Sequence, residues 1–284
     1  QHIDPLLWDA VNHNPVAFLR RLDRTRLNAA INQPSYLEFY DKAIAELDAY
    51  LSRKDTWFAV TYPNLVDTHI AYFSFEFGLH ESLPVYAGGL GILSGDHLKE
   101  ASDLGMPLTG VGFVYNQGYF VQHLSEDGWQ ETRSALIDYN ELPLVALYDG
   151  NHQPLTVSVD LPGRQVTARI WELEVGRVHL YLLDSNLEQN DPMDRLLTEK
   201  LYSSDLEVRI SQEVLLGMGG ARALALLGIT PSAWHMNEGH SAFLAVERLR
   251  QLVKQGQTYA QAKETVRLNN IFTTHTPVPA GNDQ

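Results

Sequence analysis

The segment 71–105, AYFSFEFGLHESLPVYAGGLGILSGDHLKEASDLG, constrains this chain more than any other. Residues 70–75 are apolar and aromatic, as a buried strand is, and Glu76 falls where that strand would end. Gly88, Gly89 and Gly91 follow in a turn where backbone N–H groups can approach a ligand with no Cβ in the way. Behind the turn, Leu93, Leu98, Ala101 and Leu104 recur near helical spacing, and Gly105-Met106-Pro107 ends the run, so the helix N-terminus faces the turn. Unpaired amides and the helix dipole make such an end a place for phosphate, here beside an acid. Tight packing is the competing explanation for the glycines. Two nucleotide patterns fail on detail: no Lys-Ser or Lys-Thr follows Gly91 as in a P-loop, and Ser94 stands where a dinucleotide fold has its third glycine.

Helical patterning in Leu6, Leu7 and Val11, in Val16, Leu19 and Leu22, and in Tyr36, Phe39, Tyr40, Ile44, Leu47 and Leu51 predicts a helical lead-in over 1–55. Glycine mixed with apolar residues over 108–120, then alternating runs broken at Pro162-Gly163 and Gly176, make 108–183 β-rich. Residues 196–227 return to helix, 233–236 read as a short strand, 241–253 as an amphipathic helix and 271–274 as another strand. This alternation predicts an α/β fold with a mostly parallel sheet and helices on both faces, over a single unit 1–284. Ligands collect at the carboxyl ends of strands in such sheets. Three candidate ends carry polar groups: Glu76, then Asn237-Glu238-Gly239-His240, then His275-Thr276.

With 284 residues, 44% of them hydrophobic, the chain can bury a large core. A net charge of -14 argues against nucleic-acid or anionic-membrane partners and suits a neutral or locally neutralised ligand. The absence of cysteine excludes disulfides, thiol nucleophiles and thiolate metal sites. No apolar run approaches a membrane span, and the first thirty residues lack a signal peptide's apolar core, so a soluble, cytoplasmic protein is expected. The start at Gln1, without methionine, and the stop at Gln284 suggest a fragment or a processed chain.

Glu76 and Glu238 permit a glycosidase reading, two carboxylates flanking a sugar, with structural carboxylates as the alternative. His235, Glu238 and His240 suggest no metal, because the histidines are five apart and no HExxH pattern is present. His275 lies in TTHTPVPAGND, where two prolines and a glycine stiffen the loop. Arg209, Gln212 and Glu213 form a polar stripe before Gly217-Met218-Gly219-Gly220, whose glycines are read as allowing close helix approach.

Four segments, FSFEFGLHESLPVYAGGLGILSGDHLKEASDLGMPLTGVGFVYNQGYF, RISQEVLLGMGGARALALLGITP, WHMNEGHSAFLAVERL and NNIFTTHTPVPAGND, resemble the α-glucan phosphorylases, the family of glycogen, starch and maltodextrin phosphorylases, most closely its bacterial and archaeal branch. The resemblance implies the Rossmann-like N-terminal half of a two-domain GT-B type glycosyltransferase, whose C-terminal cofactor domain lies outside this chain. It implies phosphorolysis of terminal α-1,4-glucosyl bonds of an α-1,4-glucan by inorganic phosphate, giving glucose 1-phosphate. Pyridoxal phosphate is the implied cofactor, with its covalent lysine expected beyond Gln284, and the chain alone is expected to be inactive. Carried over by position, Gly88, Gly89 and Gly91 face phosphate and cofactor. His275 is the catalytic residue, reaching the glucose 6-hydroxyl with its side chain and placing its carbonyl near the reacting carbon. Glu76, Leu90, Asn237, Glu238, His240 and Thr276 bind substrate. Gly78 departs from the pattern, standing where longer members carry an aromatic residue against the cofactor. Homo-oligomers are a further expectation. Three other readings stay open: a starch or glycogen synthase-type enzyme, though Tyr86-Ala87 and Ile92-Leu93 replace the lysine and Asp-Val around its glycines; a hydrolase using Glu76 and Glu238; and a non-catalytic domain for glucan binding or oligomerisation.

Overall fold

A computed structural model describes residues 2–83, 85–117, 121–133, 137–203 and 205–276. The lead-in is helical: α1 (Pro5–Ala10), α2 (Pro15–Arg21), α3 (Arg24–Ile31), α4 (Pro34–Ser52) and α5 (Trp57–Thr61). Asp4, Asn14, Asp23 and Thr56 cap α1, α2, α3 and α5 by accepting first-turn amides, which sets the breaks between these short helices. α4 ends on the body of the protein, where the Tyr50 hydroxyl meets Ser102 Oγ at 2.6 Å and Arg177 donates to the Tyr50 carbonyl.

The body begins with β1 (Ile70–Phe73), α6 (Gly89–Leu104) and β2 (Leu108–Phe113). Gly105, with φ 71°, ends α6 in the left-handed conformation that glycine reaches without penalty. A small antiparallel pair, β3 (Val121–Leu124) and β4 (Gln130–Arg133), comes next. Then follow β5 (Val145–Ala146), β6 (Thr156–Leu161), β7 (Arg164–Val175) and β8 (Val178–Asp184), with Gly163 and Gly176 at positive φ in the two turns foreseen from their sequence. The expected helix over 196–227 is divided: a 3₁₀ turn Asp194–Thr198, then α7 (Leu206–Val214), a π-helical turn Leu215–Gly219, and α8 (Gly220–Leu226). β9 (Ala233–Asn237), α9 (Phe243–Lys254), α10 (Tyr259–Asn269) and β10 (Asn270–Thr273) complete the described fold.

The main sheet runs β10-β9-β1-β2-β8-β7-β5, with β6 paired to β7. Its first four pairings are parallel and the β8-β7, β7-β6 and β7-β5 pairings antiparallel. Strand alternation shows that helices cover both faces. A Cβ on Gly110 would meet Leu98 of α6, whereas its neighbour Val111 sits against Gly220 of α8. Because β1, β2, β8, β9 and β10 are parallel, their carboxyl ends share one edge, and the polar strand ends collect there. Loop residues 277–283, with the two prolines and the glycine, lie outside the described residues, as do 118–120.

Candidate active site

Period-two alternation sorts the ends of β1 and β9 into two sets. Tyr72, Ser74 and Glu76, with His235 and Asn237, turn toward α6, while Phe73 stacks on Trp234 and Phe75 on His240 across the other face. An apolar strand thus ends in a polar row on one side only.

Glu76 is 2% exposed. Its Oε2 accepts the Ala87 amide at 2.7 Å and the Gly88 amide at 3.3 Å, and its Oε1 accepts the Tyr202 hydroxyl at 2.5 Å. Burial, and then the carboxylate itself, push the Tyr202 hydroxyl far above its ordinary range, so it keeps its proton and donates. Part of the anion site read from sequence is therefore filled by the chain's own carboxylate. The rest of the turn is open. α6 starts without a side-chain cap, and its first intrahelical bond is Ile92 N–H to the Gly88 carbonyl at 3.1 Å, so the amides of Gly89, Leu90 and Gly91 have no intrahelical acceptor.

The glycines divide by role. A Cβ on Gly91 would lie 2.7 Å from Glu76 Oε2 and 2.5 Å from Tyr86 Cβ, and one on Gly95 would lie 2.1 Å from the Gly78 carbonyl oxygen. Those positions need glycine for packing. A Cβ on Gly88 or Gly89 meets nothing within 4 Å, both residues are exposed, and Gly88 has an extended backbone that any residue adopts. A Cβ on Gly78 would lie 2.9 Å from Ile92 Cδ1, leaving no space for an aromatic side chain there.

Asn237, 1% exposed, donates from Nδ2 to Ser94 Oγ at 3.1 Å and Ser74 Oγ at 3.3 Å, and its Oδ1 meets His275 Nε2 at 3.0 Å. The side chain of the next residue, Glu238, points elsewhere. At φ 64° the chain turns, and the carboxylate accepts the amides of His275 and Thr276 and the hydroxyls of Thr274 and Thr276. Burial opposes the charge on Glu238, but these donors outweigh it and hold the carboxyl below its usual range. Glu238 clamps the loop after β10. His240 stacks on Phe75 with centroids 4.5 Å apart, its ring 5.5 Å from that of Tyr202. Burial, assisted by Arg209, lowers it to about 4, so it is neutral at pH 7, and its Nδ1 is buried without a partner.

The structure thus joins Glu76 to Gly88, and Asn237 and Glu238 to His275 and Thr276. The serine bridge links the two groups, since Ser94 Oγ also donates to the Leu90 carbonyl at 2.9 Å. His240 sits apart, behind Phe75 on the other face. Arg209 and Gln212 serve the interior: Arg209 pairs with Glu213 at 3.6 Å and Gln212 donates to the Leu197 and Lys200 carbonyls. Sequence reasoning missed Tyr202, Ser74 and Ser94. The serines carried one signal, a polar residue at a strand or helix position facing the glycine turn. Tyr202 carried none. Among the described residues no group of three or more His, Cys, Asp and Glu could hold a metal ion, and no helix is long and apolar enough to cross a membrane.

The profile of a family described as "Protein of unknown function (DUF3417)" matches residues 1–83. The chain is 47% identical to a glycogen phosphorylase of Mycobacterium tuberculosis over 99% of its own length and 34% of the relative's. It is 41% identical to a maltodextrin phosphorylase of Thermococcus litoralis over 100% of its length and 34% of that protein. A glycogen phosphorylase of Aquifex aeolicus is 37% identical over 97% of the chain and 39% of its own length. The chain is therefore a relative of the glycogen and maltodextrin phosphorylases, spanning about a third of the length of these curated relatives.

Proposed function

We propose that the chain is the N-terminal, Rossmann-like part of an α-glucan phosphorylase of GT-B type, acting in the cytoplasm, and that the edge holding Glu76, the glycine turn and His275 is one wall of its cleft. The observation that carries this reading is the pair Gly88 and Gly89. Both lack side chains where the fold does not require it, at the open end of α6. Space and free amides at that point suit a phosphate or a sugar oxygen.

In this reading Glu76 holds the turn by its two amide bonds, Gly89, Leu90 and Gly91 offer amides, and His275 and Thr276 approach the glucosyl unit from the loop clamped by Glu238. A carbonyl dipole from the His275 backbone would stabilise positive charge developing at the sugar carbon. Pyridoxal phosphate would be held by a lysine outside this chain, and when bound it supplies a phosphate group beside inorganic phosphate. The open α6 end is the part of this chain that fits that group. A hydrolase using Glu76 and Glu238 is not favoured, since both carboxylates act as acceptors in contacts within the protein.

The test uses the full-length protein with pyridoxal phosphate, maltodextrin and phosphate. Release of glucose 1-phosphate that depends on phosphate is expected. Gly89→Val should lower kcat/KM by about 100-fold, equivalent to about 3 kcal/mol, with an unchanged unfolding temperature. Free glucose released without phosphate would overturn the proposal.

A further inference from the structure

The hydroxyls of Ser74 and Ser94 determine which way the Asn237 amide faces. Ser94 Oγ donates to the Leu90 carbonyl at 2.9 Å and Ser74 Oγ to the Glu76 carbonyl at 3.2 Å. The two hydroxyls also lie 3.0 Å apart, so their two protons are shared among the two carbonyls and the contact between them. With those protons engaged, the Asn237 amide nitrogen, which reaches both oxygens at 3.1 and 3.3 Å, serves as their common donor. The opposite amide orientation would set Oδ1 against two oxygens and would need a serine proton withdrawn from a carbonyl or from the contact between the serines. The Tyr72 hydroxyl lies 3.3 Å from Ser94 Oγ and extends the same network. Asn237 Oδ1 consequently faces His275 Nε2, at 3.0 Å, as an acceptor.

We infer that Asn237, locked by Ser74 and Ser94, is a positioning residue that holds His275 as the neutral Nε2–H tautomer and leaves Nδ1 as its hydrogen-bond acceptor. The ligand chemistry that follows is a hydroxyl donor, such as a sugar hydroxyl, in preference to an anionic oxygen. This deepens the reading of His275 as a glucosyl-binding residue and rests on it. It also gives two buried serines a purpose. Ser74 and Ser94 are both 0% exposed, and with Asn237 they connect the end of β1, the second turn of α6 and the end of β9 to an exposed histidine. The groups facing the ring are Glu238, which accepts the His275 amide, and the imidazole of His235, which burial keeps uncharged at neutral pH, with His97 beyond it. None of these contacts supplies an acceptor to Nε2, so the tautomer depends on Asn237.

Two measurements test the inference separately. Ring-nitrogen NMR on this chain should show His275 as a single Nε2–H tautomer at neutral pH. It should become a tautomer mixture in Asn237→Ala, and the imidazolium should persist to higher pH in Asn237→Asp, whose carboxylate favours the charged ring. A tautomer mixture or Nδ1–H in the parent protein overturns the inference, whatever the enzyme does. In the full-length enzyme the acid limb of the kcat/KM profile should move upward by about one pH unit in Asn237→Asp. The paired Ser74→Ala and Ser94→Ala changes should cost about tenfold, with Ser94→Thr recovering most of it. A profile that stays in place while NMR shows the expected tautomer would sink the reading of His275 in the site and leave the positioning intact.

Discussion

His235 and His240 are half-buried and lie on opposite faces of the same sheet edge. Burial lowers both to about 4, His97 and His275 adding to the effect on His235 and Arg209 to that on His240. The unfolded histidine titrates near 6.5, so between 6.5 and about 4 the unfolded chain binds protons that the folded one refuses. The stability these groups contribute is fully present above that window and is lost as pH falls through it. Urea midpoints measured from about pH 7.5 to about pH 4.5 should decline, and His240→Phe, which keeps the stack on Phe75, should flatten the decline. An unchanged slope in His240→Phe would show that this imidazole is charged in the folded protein. Glu76, Asn237, Glu238 and His275 were all picked out by type and by position at strand ends. Their partners were not, because the acceptor of a side chain 38 positions away, as in Asn237 to His275, is set by strand order and by the turn at Glu238.

At the scale of elements, α6 carries glycines that packing requires and glycines that it does not. Gly95→Ala forces a methyl onto the Gly78 backbone and should cost about 3 kcal/mol in urea unfolding, whereas Gly89→Ala should stay within about 0.5 kcal/mol. Equal costs would mean that the two glycines share a structural role. α8 and α9 are tied by Glu247, whose side chain is fully buried and pairs with Arg222 at 2.9 Å and with Arg250. Burial works against its charge, but the two guanidiniums prevail and lower the carboxyl to about 2. Glu247→Gln should destabilise by about 2–3 kcal/mol near neutral pH, and the difference should shrink as acid titrates the parent below the normal carboxylate range. A constant difference down to about pH 2 would rule out the ionised pair as its source. α4 shows why periodicity alone is incomplete. Its apolar spacing gives a helix, as expected, yet none of its residues is buried, and Phe39, Tyr40 and Leu47 are each half exposed or more. Spacing reports a face; whether that face is covered depends on the rest of the fold.

For the whole molecule, the candidate wall is exposed along the sheet edge that carries Gly89 and His275, while the chain spans about a third of the curated relatives it matches. On the proposed function, this chain supplied with maltodextrin, phosphate and pyridoxal phosphate should release no sustained glucose 1-phosphate, because the proposed transfer needs groups from a second wall held in one geometry with these. Turnover by the chain alone would refute that expectation.

Local rules sufficed for much of this protein. Apolar runs marked β1, β9 and β10 to within a residue or two, glycines at positive φ ended α6 and the β6-β7 and β7-β8 turns, and composition excluded thiol chemistry. These follow from backbone sterics and hydrophobic periodicity, which act between near neighbours. Only the tertiary structure decided that Glu76 fills part of its own glycine turn, that Tyr202 donates to it, and that Glu238 secures the His275 loop. Hydrogen bonds across 126 and 38 positions depend on which strands lie side by side, and parallel pairing of β1, β9 and β10 is a long-range choice that no local pattern encodes.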